Sequence, residues 1–537
     1  MKKEILKSKA MLTALASILL VSCGGGGSSN LPINPGNNKN LSQLKNEYAE
    51  ARKKSTEAIP TDSREEDGKV NGIYKGKIEG KNIKVAIIDD DFLTNKNSLE
   101  SKFPGIKILP RIDGKTSTGG DGEVVLDILR GEGFLDDDYN NKINVIVASI
   151  EDEAADEYNF TKEIQDRVIN EFGNQKIKIV NQPLLSEESY TKYKGKESDI
   201  LNETFDGSSD KIVPYFKNVV NNKGGLYVWA AGDNDVSDKS SATVGAGLPY
   251  FEHELEKGWI SVVGVDYAEG YKFTNPDGTL NIKKDSSGNP ILDKDGDPIP
   301  NIPKNARYYI AGKGTDQLAY AGSEAKWWTI SAPSNYFKEH PTINNKFIEV
   351  SSSAIAAPRV TRTAALVAEK FDWMTPDQVR QTLFTTTDKM ELTKDPEELS
   401  ENELRNIITT PSDKYGWGMA NPDRALKGPG AFQRTNLYTN NSVFAANVPL
   451  GTESYFENNI YGAGGLDKLG KGKLHLTGDN SYAGGSIVND GELHIHKVHS
   501  SPIRIDKNGT LVLHSRAIVG YDISSNQIKC RSTKNNR

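Results

Sequence analysis

Five of the seven histidines lie together near the carboxyl end of the chain, at positions 475, 494, 496, 499 and 514. Imidazole is a common transition-metal ligand, so this group is a candidate metal site. Alternation of the histidines with Leu and Ile indicates instead outward-facing positions on strands, and this interpretation predicts no metal. The acidic runs 89–91 and 136–138 are candidates for structural Ca²⁺. Solvated loops explain these runs more simply, and we expect no cofactor.

The overall composition bounds the classes to which the chain can belong. Its 537 residues, 36% hydrophobic and 26% charged, suffice for two or three domains with at least one large core. The formal charge of −7 argues against nucleic acid as a partner, because a chain with a net negative charge would not displace the counterions that surround the phosphates. Cys23 and Cys530 are the only cysteines, which excludes a disulfide framework and a cysteine-based zinc site.

The amino-terminal segment predicts export. A Lys-rich start precedes the apolar residues 10–21, which are too few to span a bilayer. Residues 20–23, Leu-Val-Ser-Cys, resemble a bacterial lipobox, in which cleavage precedes a diacylated cysteine; an ordinary signal peptide with an incidental cysteine is the alternative. Removal of residues 1–22 leaves a formal charge of −10. We expect a lipoprotein of a diderm bacterium, membrane-anchored through lipid on Cys23, on the periplasmic side or the cell surface.

Six near-continuous apolar runs predict strands that are buried on both faces. They lie at 83–88, 143–147, 177–180, 225–231, 260–265 and 328–331. Helical periodicity appears at 122–129, 161–171, 211–221 and 356–371. Strands and helices that alternate in this way are typical of an α/β domain with a parallel sheet.

The character of the sequence changes after residue 427, where helical patterns give way to short alternating strands. Leu474, Leu493 and Leu511 occupy matching contexts that are 19 and then 18 residues apart, which predicts rungs of a β-solenoid. Residues 472–485 resemble the passenger-associated repeat of autotransporters.

Several ordered segments resemble the subtilisin-like serine proteases, or subtilases, of the kind carried as autotransporter passengers. They are 85–89, where an acid ends a buried strand, the helix start 353–366, the strands 259–265 and 330–333, and the closing segment 416–430. The resemblance implies a subtilisin-like α/β fold, a mostly parallel sheet with helices on both faces, followed by a truncated β-solenoid. It also implies serine endopeptidase chemistry with Ser, His, Asp and an oxyanion-binding Asn.

Only one of the four catalytic groups is retained when the family pattern is carried onto this chain. The acid is Asp89. The His position falls on Asp121, the Ser position on Ala354, and the oxyanion Asn position on Asp233, with Asn234 directly after it. The resemblance therefore implies a catalytically degenerate pseudoprotease, because a methyl group cannot attack a carbonyl and a carboxylate cannot replace imidazole near neutral pH.

Three alternatives remain open at this point. The chain is an active serine-type endopeptidase with a shifted triad, using Ser353 and a displaced His253 or His340. Asp89 and Asp121 instead share a proton and activate water, as in aspartic proteases. The third alternative is a relic without a selected function.

A degenerate enzyme would leave its former substrate cleft to a peptide or protein partner. In relatives a strand lines this cleft and donates backbone hydrogen bonds to the peptide. Pro183 falls on that strand and lacks an N–H, which counts against protease-like peptide binding.

The predicted domains follow from these patterns. They are a lipoprotein signal peptide 1–22, a flexible tether 23–40, an N-terminal helix and connector 41–82, a subtilase-like domain 83–432 with a hairpin insertion at 266–304, and a truncated autotransporter repeat region 433–537. Residues 522–537 are polar and basic, so we expect no C-terminal membrane barrel.

Overall fold

The computed structural model describes the chain between residues 78 and 530, with gaps. The described residues are 78, 80–89, 92, 99–101, 103–111, 122–130, 142–152, 158–159, 162–183, 188–193, 209–233, 238–266, 275, 279, 281–291, 309–310, 318–339, 347–390, 398, 400, 409–520, 523–524 and 528–530. The predicted signal peptide, the tether and Cys23 lie outside this part of the chain. Within it, no helix has the length and apolar character needed to cross a bilayer.

A mostly parallel sheet of eight strands forms the centre of the α/β region. The strands of this region are β1 Lys84–Asp89, β2 Lys107–Leu109, β3 Asn144–Ser149, β4 Glu151–Asp152, β5 Tyr158–Asn159, β6 Lys178–Gln182, β7 Gly225–Ala230, β8 Trp259–Asp266, β9 Tyr309–Ile310, β10 Thr329–Pro333, β11 Asn335–Glu339 and β12 Phe347–Ser351. The spatial order is β10-β8-β7-β6-β1-β3-β2, with β9 antiparallel to β8. The pairs β4–β5 and β11–β12 are separate antiparallel hairpins. All six predicted strands are present.

Helices cover both faces of this sheet. They are α1 Gly122–Arg130, α2 Lys162–Glu171, α3 Ser209–Asn222, α4 Val244–Gly247, α5 Ser353–Lys370, α6 Pro376–Thr385 and α7 Pro422–Leu426, with 3₁₀ turns at Tyr190–Tyr193, Leu248–Tyr250, His253–Gly258 and Ala325–Trp328. Val85 and Ile87 of β1 belong to the core beneath α1, α5 and α6, whereas Ala86 and Ile88 belong to the core beneath α2 and α3. The expected α/β fold class is confirmed.

Parallel rungs of a partial solenoid follow the α/β region. Their strands are β13 Val443–Asn447, β14 Glu453–Phe456, β15 Gly465–Leu469, β16 Lys473–Leu476, β17 Ser486–Ile495, β18 Val498–His499, β19 Ile503–Leu513, β20 Ile518–Val519, β21 Ile523–Ser524 and β22 Ile528–Cys530. Leu474, Leu493 and Leu511 are in register and fully buried. The predicted repeat therefore stacks its leucines into a continuous interior.

One hydrophobic core joins the first rung to the α/β region. Trp373 lies between α5 and α6, packs against Phe444 and Phe456, and donates from its indole N–H to Ser454 Oγ at 3.1 Å. Gln378 of α6 donates to the carbonyl of Ala445 at 2.6 Å. The α/β region and the repeats therefore share one packed interior.

His499 is expected to make the stability of the repeat region acid-sensitive. It is fully buried, its Nε2 lies 3.4 Å from Ser486 Oγ, and the ring of Tyr482 meets it edge-on. Burial lowers the pKa of His499 to about 3, compared with about 6.5 in an unfolded chain. Between these values the unfolded state binds a proton that the folded state does not, so stability falls as pH falls, by about 1.4 kcal/mol per pH unit.

Denaturant unfolding above and below about pH 6.5 measures this slope. His499→Leu should flatten it relative to the unmodified protein, and His253→Leu, in the α/β region, is the control. An unchanged slope in His499→Leu would contradict the assignment.

Candidate functional site

The site expected from the sequence lies at the edge of the sheet where β1, β6 and β7 end. Asp89 is the last residue of β1 and is buried, with 6% of its surface exposed. Asp121 directly precedes α1 and lies outside the described residues, so its pairing with Asp89 stays a prediction. Helix α1 is held against α5, because Arg362 donates to the carbonyl of Ile128 at 2.8 Å.

Asp233 follows β7 and is bound to the amino-terminal end of α5. Its Oδ1 accepts hydrogen bonds from the backbone N–H and from the hydroxyl of Ser353, each at 2.7 Å. The backbone N–H of Gly232 in turn donates to Ser353 Oγ at 3.1 Å. A carboxylate is stabilised in this position, because the exposed N–H groups and the dipole of a helix favour negative charge at its amino terminus.

Ala354 occupies the next position of the same helix turn. It is half-buried, and its N–H donates to Ser352 Oγ at 3.0 Å. Ser352 is the N-cap of α5 and has the extended backbone typical of that position. Sequence reasoning missed this cap, although three serines before a helical segment are a signal for one.

The backbone N–H groups at the amino terminus of α5 are therefore already hydrogen-bonded to side-chain oxygens of the same chain. Asp233 takes the N–H of Ser353, and Ser352 takes the N–H of Ala354. A substrate oxygen that gains negative charge here would have to displace the serine hydroxyl and would meet a carboxylate.

Ser353 and His253 do not form a displaced nucleophile and base in this structure. Ser353 is fully buried, and its hydroxyl donates to Asp233. His253 begins the 3₁₀ turn that leads into β8, so it lies at the amino-terminal edge of the parallel sheet, opposite the site. Its ring stacks on Tyr438 with 3.5 Å between the ring centroids. His340 lies outside the described residues.

The strand that ends beside Asp89 is fixed to α5 as well. The side-chain carbonyl of Asn181 in β6 accepts from the hydroxyl of Thr361 at 2.7 Å. Pro183 directly follows this strand and is buried. Among the described residues, the side chains grouped closely enough to hold a metal lie in the repeat region and not at this site.

Comparisons with known proteins match both regions of the chain. A model of the subtilase family matches residues 139–418, which include Asp233 and Ala354, and a model of the passenger-associated transport repeat matches residues 466–495. The Neisserial autotransporter lipoprotein NalP of Neisseria meningitidis is 27% identical over 304 residues, covering 56% of this chain and 23% of that protein.

An extracellular serine protease of Serratia marcescens is 28% identical over 237 residues, 39% of this chain and 21% of that protein. The chain thus matches less than a quarter of the length of each of these relatives. Among solved structures, a lanthipeptide protease is 16% identical with a TM-score of 0.35, covering 73% of this chain and 98% of that one.

Proposed function

The chain belongs to the subtilase family, and we propose that it is an exported, lipid-anchored pseudoprotease of that family. The observation that carries the proposal is the occupied amino terminus of α5. Ser352 and Asp233 hold its first N–H groups, and Ala354 presents a methyl group where the family pattern has its nucleophile.

The chemistry of these residues supports loss of the serine mechanism. Without a hydroxyl at Ala354 no acyl-enzyme forms there, and Asp121 cannot shuttle a proton near neutral pH as imidazole does. Loss of one oxyanion donor alone slows such enzymes by roughly 10²–10³. These losses affect one catalytic unit and do not multiply, but together they remove ordinary subtilase turnover.

The resemblance of residues 20–23 to a lipobox and the similarity to the Neisserial autotransporter lipoprotein support anchoring through Cys23. Anchored protein partitions into detergent, and Cys23→Ala should move it into the aqueous phase. Equal partitioning of the two proteins would contradict the anchor. The transport repeat in residues 466–495 supports export as a passenger.

We assign the remaining role to binding by the former cleft, where a peptide or protein partner would lie against β6 and α5. Pro183 removes one backbone donor from the β6 side. A partner would therefore be held by side chains and by the remaining backbone groups. An immobilised peptide library should yield ligands whose binding is reduced by substitutions at this edge of the sheet. Ligands that are insensitive to such substitutions would contradict the assignment.

Turnover and active-site labelling test the proposal directly. The protein should hydrolyse casein and peptide substrates no faster than a boiled sample, and a fluorophosphonate probe should not label it. The triple variant Ala354→Ser, Asp121→His, Asp233→Asn restores the family groups and should gain both hydrolysis and labelling at residue 354. The matched control keeps Ala354 and carries only the other two changes.

Labelling of the unmodified protein at Ser352 or Ser353 would contradict the proposal. It would instead support an active endopeptidase with a shifted triad.

A further inference from the structure

Four histidines form a two-by-two array on the outer face of the solenoid. His475 of β16 and His494 of β17 are paired in register. His496 and His514 follow on the same face, because the N–H of His496 donates to the carbonyl of Leu476 and the N–H of His514 to that of Ile495. The sequence predicts separate outward-facing side chains, whereas the register of the rungs brings the rings together.

The ring nitrogens of this array are close to one another. His475 Nδ1 lies 3.0 Å from His496 Nε2, and His494 Nδ1 lies 3.1 Å from His514 Nε2. One ring nitrogen from each of His475, His496 and His514 lies within 4.8 Å of those of the other two. Tetrahedral Zn²⁺ with bonds of about 2.0 Å needs ligand nitrogens about 3.3 Å apart, so small rotations of the rings suffice.

The array is enclosed although it faces outward. His475 is 6% exposed and His494 is 3% exposed, because Tyr455 stacks on His475 and the histidine rings stack on one another. Burial lowers the pKa of His475 to about 2 and that of His496 to about 4. At neutral pH both rings are therefore neutral, which is the form that binds metals.

One carboxylate orients a nitrogen lone pair within the array. Glu492 Oε2 lies 2.8 Å from His494 Nε2, and a carboxylate in that position holds the proton on Nε2. The lone pair of His494 is thereby left on Nδ1, which faces His514.

We propose that His475, His496 and His514 bind one divalent transition metal of the Zn²⁺ class, with His494 beside His514 at the edge of the site. A set of imidazole nitrogens suits Zn²⁺, Cu²⁺ or Ni²⁺ and not the oxygen-seeking Mg²⁺ or Ca²⁺. Because the ligands come from β16 and from the residues that directly follow β17 and β19, the metal joins three successive rungs. The alternative is an array held only by N–H···N hydrogen bonds between neutral imidazoles.

Metal content and affinity separate these two arrangements. Tag-free full-length protein, stripped with a chelator, should take up one Zn²⁺ per chain at micromolar concentration, as measured by elemental analysis and by competition with a chromophoric chelator. Zn²⁺ should raise its thermal midpoint, and Co²⁺ in its place should give the visible spectrum of a tetrahedral nitrogen site. Mg²⁺ should do neither.

Ligand variants locate the site. His475→Gln and His514→Gln should each weaken Zn²⁺ binding at least about 100-fold, whereas His253→Gln should leave it unchanged. Circular dichroism shows whether each variant folds. His514 is partly exposed, so His514→Gln should keep the fold and test the site even if His475→Gln does not fold. Uptake of no Zn²⁺ by the folded unmodified protein overturns the proposal, and so does binding that neither variant weakens.

Discussion

Arg380→Met is expected to lower the free energy of unfolding by about 3–5 kcal/mol. The guanidinium of Arg380 in α6 is fully buried and donates to the carbonyl of Trp259, to Asp377 and to Asn436 at 2.7–3.0 Å. Burial raises the pKa of Glu256, 1% exposed, and the positive charge of Arg380 opposes that rise. Methionine would leave a buried carboxylate without its nearby cation.

Denaturant unfolding of single and double variants measures this coupling. The double variant Arg380→Met, Glu256→Gln should lose less unfolding free energy than the sum of the losses in the two single variants. The reason is that Glu256→Gln removes the carboxylate that Arg380→Met leaves without a nearby cation. Arg167→Met, at a solvent-accessible arginine of α2, should cost less than about 1 kcal/mol. If the losses of unfolding free energy in the two single variants simply add in the double variant, Arg380 and Glu256 are not coupled and the prediction is wrong.

Trp373→Ala is expected to cost about 3–5 kcal/mol and to separate the unfolding of the solenoid from that of the α/β region. The indole fills the junction between α6 and the first rung, against Phe444 and Phe456. Its removal leaves a cavity where the two regions share a core. Trp373→Phe keeps most of the apolar contact and loses the bond to Ser454, at a cost of about 1 kcal/mol.

Calorimetry and limited proteolysis test this prediction. The unmodified protein should unfold in one transition, whereas Trp373→Ala should show an earlier transition in which the repeats become sensitive to protease. A single transition of unchanged width in Trp373→Ala would show that the junction does not couple the two regions.

Much of the α/β fold can be predicted from the sequence, because strands buried on both faces must be apolar along their whole length. Runs such as 260–265 therefore predict β8 to within a residue at each end. The three-residue edge strand β2 gives no such run. Helix α6 carries a start signal, with Thr375 and Gln378 forming a capping box around Pro376, but its apolar pattern is weak.

The candidate site could be predicted in part. The sequence resemblance predicts that the nucleophile position falls on Ala354 and therefore lacks a hydroxyl. The hydrogen bonds from Ser353 to Asp233 depend on where the turn after β7 meets α5, and 120 residues separate these positions in the chain. The histidine array depends likewise on the register of successive rungs, which a repeat length of 18 or 19 residues leaves open.

The packing of β13 and β14 against Trp373 and Gln378 also bears on the order in which we expect the solenoid to assemble. In a stack where each rung contacts only its neighbours, the first rung has the least to offset its loss of chain entropy. Here the α/β domain, which precedes the repeats in the chain, supplies a finished surface for that rung. We therefore expect rung formation to begin beside the α/β region and to proceed away from it.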